Sequence, residues 1–350
     1  MNKKLLILCT ALGAFTFANA QSLQSENFNS LTLGNVGTDI TGATAGQSGL
    51  FTFASNGTAP TTSTNAANSL FQIVSSGNAS KGMSITGPNG NAGSAFVWKS
   101  GLATSWTGRT TGNNIIEVEV DVYLGALSTS VNKHGIRIFD AAGTKTLVGF
   151  QVNTATGELQ LIAYSTPTGN PVGNYSYALV AAPGVILPPN SWSRIGISYN
   201  KTTNACTIKG PGVPANTILA GSSANADPDE VDFVVTSGHS TTIANTAAGT
   251  IIFDNLTVKA SATDTLLGND NFTTNGLTVT MYPNPASDIL NIQSETEELT
   301  KVSITDLNGR VVKEVSNNLS QISLENLAKG IYMVTIESAT AKKLEKLIVE

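Results

Sequence analysis

The chain has 350 residues, 41% hydrophobic and only 12% charged, with a formal net charge of −5, so it is long enough for two domains that each bury a core. No basic cluster lies between residues 21 and 276, where 14 acids face 10 bases, and the footprint demanded by nucleic acid or an anionic membrane is missing. One of the two cysteines, Cys9, lies in the first 20 residues; its loss would leave Cys206 alone and exclude an intramolecular disulfide.

Residues 1–20 read as a signal peptide. Lys3 and Lys4 precede the apolar stretch LLILCTALGAFTFA, and Ala18 and Ala20 bracket Asn19 as a small-x-small cleavage site. Leu8 stands before Cys9 where a lipoprotein would need a small residue. No other stretch reaches the ~20 apolar residues of a membrane span, so the mature chain is expected to have no transmembrane segment.

Residues 21–262 are rich in Gly, Ser, Thr and Asn between short runs of Val, Ile, Phe and Tyr, without helical periodicity. The expected strands are 115–124, 135–139, 147–152, 158–164, 192–199, 231–236 and 250–258, with hairpin turns in FDAAGTKT and NTATGE. So many short strands predict an all-β sandwich or jelly roll. The stretch NSWSRIGISYNKTTNACTIKGPG, with IFDNLTV, resembles the central hairpin and closing strand of laminin-G-like, concanavalin-type jelly rolls over about residues 110–260. That resemblance implies a fold hosting lectins, binding modules, adhesins and glycoside hydrolases alike, and so selects none of them.

Three groups in this passenger carry candidate chemistry. Alternation places Glu117, Glu119 and Asp121 on one face of a strand and Ile116, Val118, Val120 and Val122 on the other. Paired carboxylates about 5 Å apart serve retaining glycosidases; some jelly-roll glycosidases carry a Glu-x-Asp-x-Glu pattern, whereas this run is Glu-x-Glu-x-Asp, with the shorter acid at the end and the longer one in the middle. Glu117 and Asp121 begin about 13 Å apart along the strand, and the alternative is the solvent face of an amphipathic strand. Trp98 and Trp106 flank a Gly- and Ser-rich stretch where indoles could stack on sugar rings, with Lys99 and Arg109 as hydrogen-bond donors; the alternative is that they anchor the sandwich edge. Trp192, heading an apolar strand, is expected in the core. For Ca²⁺, which takes six to eight oxygens, two sets offer ligands: Asp227, Asp229, Glu230 and Asp232 in NADPDEVD, and Glu26 with Asp254, the latter by analogy to an ion between terminal strands of comparable jelly rolls. No cofactor is required, and structural calcium is the one candidate. His134 and His239 lack partners at zinc-ligand spacing, and neither a nucleophile elbow nor a phosphate-binding glycine loop is present.

Residues 263–276 read as a linker. Within it Asp264, Thr265 and Leu266 resemble a short O-glycosylation acceptor pattern. Residues 277–350 hold 10 acids and 7 bases and change in texture. Asn308 and Gly309 suit a two-residue hairpin turn, Val302 and Ile304 would face a core, and Tyr332, Val334 and Ile336 share one strand face after Gly330. With Pro283, Asn284 and Pro285, with Gly309, and with Gly330 and Tyr332 two residues apart, this segment resembles the type A C-terminal sorting domain of type IX secretion substrates. The resemblance implies a small immunoglobulin-like β-sandwich recognised by the type IX machinery at the outer membrane and removed by its surface protease. The protein would then travel through the periplasm to be secreted or attached to the outer surface.

The reading is therefore a two-domain all-β protein: a jelly-roll passenger followed by a sorting domain. The passenger is expected to be a non-catalytic glycan-binding or adhesive module. The alternatives are a glycoside hydrolase using Glu117 and Asp121, and a structural surface or biofilm matrix protein.

Overall fold

The computed structural model describes residues 20–56, 65–78, 80–214, 218–219, 222–267, 279–294, 299–306, 310–338 and 342–350. Ala18 and Asn19, Gly309 with its turn partner Asn308, and residues 268–276 of the expected linker lie outside the described residues. The chain separates into two compact units, residues 1–267 and 268–350.

The first unit is a jelly-roll sandwich of two antiparallel sheets. One has nine strands, ordered Ile218–Leu219, Cys206–Lys209, Ser191–Asn200, Ile115–Leu124, Thr250–Ser261, Gly82–Thr86, Phe71–Val74 and Gly34–Asn35, with Gln21–Glu26 also paired to Thr250–Ser261. The other has eight, ordered Gly173–Ala178, Glu158–Ser165, Thr146–Asn153, Lys133–Phe139, Glu230–Thr236, Ser94–Lys99 and Leu50–Ser55, with Val185–Ile186 also on Glu158–Ser165. Both expected hairpins form, and Gly143 and Gly157 in their turns take φ of 65° and 73°, values that glycine reaches at no steric cost. Val118, Val120 and Val122 from one sheet meet Ile136, Phe150 and Phe233 from the other in a single core. Strands from residues 21–99 interleave with the later ones in both sheets, so the sandwich is built from the whole unit.

Two expectations need correction here. Trp192 is not in the core. It lies on the outer face of the nine-stranded sheet, half-buried, with its ring 5.3 Å from that of Tyr123. Residues 263–267 are not linker: Leu266 is fully buried and the segment folds back onto the same outer face. A Cβ built on Gly196 would fall 2.7 Å from the Leu266 side chain, so the glycine leaves the depression into which this strap fits.

The second unit pairs a three-stranded sheet (Val279–Tyr282, Ile289–Ser294, Gln321–Ser323) with a four-stranded one (Val311–Val315, Leu299–Thr305, Gly330–Ser338, Lys342–Val349). It is the seven-stranded, immunoglobulin-like arrangement among the described residues. Val302, Ile304, Tyr332, Val334 and Ile336 are all in its core, as strand alternation requires.

Candidate functional site

The carboxylate row is real as a row and closed as a site. Glu117, Glu119 and Asp121 do share the outer face of the nine-stranded sheet, but only 1%, 7% and 6% of their surfaces remain exposed. The Glu117 carboxylate accepts bonds from the Thr265 backbone N–H (2.6 Å) and hydroxyl (2.5 Å). Glu119 accepts from the Leu267 N–H at 3.0 Å and from Arg194 at 3.2 Å. Asp121 accepts from Arg194 at 3.1 Å and from the side-chain amides of Asn78 and Asn255, both at 2.8 Å. Lys209 ties the strap down further through Asp264 at 3.1 Å and the Leu266 carbonyl at 2.9 Å. Burial pushes the Glu117 carboxyl above its ordinary value, more than the Thr265 bonds draw it down. The row therefore faces neither solvent nor an open cleft. A recess of about 460 Å³ beside it is lined by Arg194 and Lys209, and both of these cations are already paired.

The sequence candidates for sugar stacking separate. Trp106 is 2% exposed on the short helix Leu102–Thr107, donates from Nε1 to Asp227 at 3.0 Å, and carries the Arg109 guanidinium 3.8 Å above its ring. Arg109 is spent on the Trp106 and Asn113 carbonyls and on Asn114 Oδ1. The pair is an internal anchor, so the stacking expectation fails for Trp106 and Arg109. Lys99 points away from Trp98 by strand alternation and reaches Glu26 at 3.6 Å. Trp98 stays half-buried on the outer face of the eight-stranded sheet, stacked on Phe51 of the neighbouring strand (5.6 Å between centroids, 16° between planes). Phe53 and Phe96 repeat the pairing two residues along, at 6.0 Å.

The calcium sets also separate. Glu26 accepts from the Phe28 N–H at 2.9 Å and from the Ser48 hydroxyl, and Asp254 accepts from the Asn78 and Asn255 N–H groups at 2.8 and 2.7 Å. Asp227 turns to Trp106 and Lys201, whereas Glu230 and Asp232 sit in a strand beside residues Phe139 and Arg137. Among the described residues no three acidic, histidine or cysteine side chains gather as a metal site.

What the alternation in GIRIF could have indicated, and what sequence reading missed, is Arg137. The register sets Phe51, Trp98, Asp232, Arg137 and Gly149 side by side across five adjacent strands. A Cβ on Gly149 would lie 3.0 Å from Arg137 Cγ, so the glycine gives the arginine stem its place on the face. Burial raises the Asp232 carboxyl well above the usual range, with Glu230 adding like charge, and lowers the Arg137 guanidinium.

In the second unit the Pro-Asn-Pro element is a clasp. Asn284 donates from its amide to the Lys346 carbonyl at 2.6 Å and accepts from the Ile348 N–H at 2.9 Å, and Ala286 bridges Val349 in parallel. The Tyr332 hydroxyl closes on the Ala328 carbonyl at 2.7 Å. Residues 280–350 match the family described as secretion system C-terminal sorting domains. This segment is a type IX sorting domain. It marks the protein for export to the cell surface or beyond. The sorting domain makes up about a fifth of the chain, and the match says nothing of the passenger.

For the whole chain, no curated protein matches significantly. Solved structures similar to it include the marine PL-14 alginate lyase from Aplysia kurodai, with 11% identity, 69% of this chain and 100% of the other covered, and a TM-score of 0.42. A mutant of alginate lyase Aly36B in complex with alginate trisaccharide has 14% identity over 69% and 98% of the chains, at 0.41. A botulinum neurotoxin type C structure has 11% identity over 89% and 72%, at 0.36. At such scores none of these likenesses bears on ligand or reaction, and the passenger architecture stands on its own strand pairing. No helix among the described residues is long and apolar enough to cross a membrane.

Proposed function

We propose that the type IX machinery exports this protein to deliver a non-catalytic glycan-binding module to the cell surface or its surroundings. The observation that carries the reading is the aromatic platform of Phe51, Phe53, Phe96 and Trp98 on one outer sheet face. Half-buried aromatic faces beside polar side chains suit the apolar faces and hydroxyl rims of sugars. The hydrolase alternative draws no support from Glu117 and Asp121, because the strap donates to Glu117 and Arg194, Asn78 and Asn255 donate to Asp121. The test is binding of the secreted chain to a broad glycan array, wild type against Trp98→Ala, with the unfolding midpoint of each recorded. Saturable binding that weakens in the variant supports the module. Binding to protein ligands only, with a blank array, would transfer the passenger to protein adhesion.

A further inference from the structure

Asp232 and Arg137 face one another from neighbouring strands, yet they behave unlike a structural ion pair. Asp232 is 5% exposed; its carboxyl is hydrogen-bonded to the Glu230 side chain, but its Oδ1 has no hydrogen-bond partner. The Arg137 guanidinium makes no hydrogen bond and no ion pair within 4.0 Å among the described residues. The unit's two other arginines are satisfied: Arg194 serves Glu119, Asp121 and the Asn255 carbonyl, and Arg109 serves three acceptors. Burial and Glu230 hold the Asp232 carboxyl well above the ordinary carboxylate range, which weakens its pull on the guanidinium, so Asp232 Oδ1 and the Arg137 guanidinium are left as two polar groups that no protein partner uses. A group that fits between must accept from the guanidinium and bond Asp232 Oδ1 at once, and a hydroxyl, both donor and acceptor, does so.

We infer that Asp232 and Arg137 form a saccharide subsite continuous with the Trp98 platform, taking the hydroxyls of a neutral sugar whose ring face rests on the indole. The inference rests on the glycan-binding reading and adds the subsite and the sugar class. Neutral rather than acidic follows from the surroundings. Glu230 lies two residues from Asp232 on the same strand face and is hydrogen-bonded to it, and Asp229 adjoins it, so the one guanidinium stands among carboxyl groups and a uronate would meet like charge.

The experiment is affinity electrophoresis of the full chain in gels containing β-glucan, mannan, xylan, starch or polygalacturonate, with Arg137→Met and Asp232→Leu beside wild type and thermal unfolding of all three. We expect retardation by at least one neutral polysaccharide and weakening by at least about tenfold in each variant. Arg137→Met should unfold no lower than wild type, because the guanidinium holds no partner that its loss would strand, whereas Asp232→Leu also removes the bond to Glu230 and is read beside its own unfolding midpoint. If Asp232→Leu unfolds early, the shape-keeping Asp232→Asn replaces it. Wild-type retardation that both variants retain overturns the subsite while the glycan reading survives. No retardation by any neutral polysaccharide overturns both, and preference for polygalacturonate overturns the sugar class.

Discussion

Thr265→Val isolates the contact that closes the carboxylate row. Valine keeps the shape of threonine and removes the hydroxyl that donates to Glu117 at 2.5 Å, so no cavity complicates the result. The carboxylate it leaves belongs to a residue 1% exposed, where water offers little replacement. A hydrogen bond to a charged group is worth about 1.5–3 kcal/mol. For a unit of this size, roughly 2–4 °C of midpoint per kcal/mol converts that to a drop of about 3–12 °C at pH 7. The assay is thermal unfolding of the full chain followed by tryptophan fluorescence, since all three tryptophans lie in the passenger. In a Glu117→Gln background the same change should cost less, because the charge it strands is gone; the coupling should be about 0.5–3 kcal/mol. A midpoint within about 1 °C of wild type would refute the reasoning, since it would mean that the Thr265 hydroxyl does not hold the Glu117 carboxylate.

Three further outcomes follow from the same geometry. Glu117 has a folded-state pKa raised above the ordinary 4.5, so the folded state holds its proton more tightly than the unfolded one, and its contribution to stability falls as pH rises from 4.5 through the raised value; Glu117→Gln should therefore gain on wild type between pH 4.5 and 7, seen as a growing midpoint difference, and parallel profiles would contradict it. The fully buried Cys206, its thiol pushed up to about 12 by burial, should resist thiol reagents at neutral pH in the native protein and react on unfolding; prompt native labelling would show that the core opens. If the sorting domain is removed on export, the mature passenger should end beyond Leu267, because the strap is bonded into the sheet; intact-mass measurement of the secreted form checks it, and an end before Asp264 would contradict it.

Strand existence was legible where alternation ran long. Ile116, Val118, Val120 and Val122 are in the core as their spacing predicts. The opposite face was read as solvent or as an active site, and neither reading holds, because its cover comes from residues 148 positions away in sequence. Local pattern carries no information about such a contact. Trp98 and Trp106 look equivalent in a Gly- and Ser-rich stretch, yet one lies in a strand and the other in a six-residue helix that buries it. Arg137 was overlooked for the same reason: its neighbours Asp232 and Gly149 are set by register between strands, which a single sequence does not display. The sorting domain was legible almost whole, since its marks are short-range turns and a strand rhythm. Only the reach of Asn284 to the last strand needed the fold.

The strap has one more consequence, set by the order in which a chain is made. Residues 264–267 leave the ribosome after every described strand of the passenger and before the sorting domain, so the lid of the sandwich precedes the export address in the same message. A chain cut short anywhere before them is at once unsealed and unaddressed, and a chain long enough to carry the address has of necessity already carried its own closure.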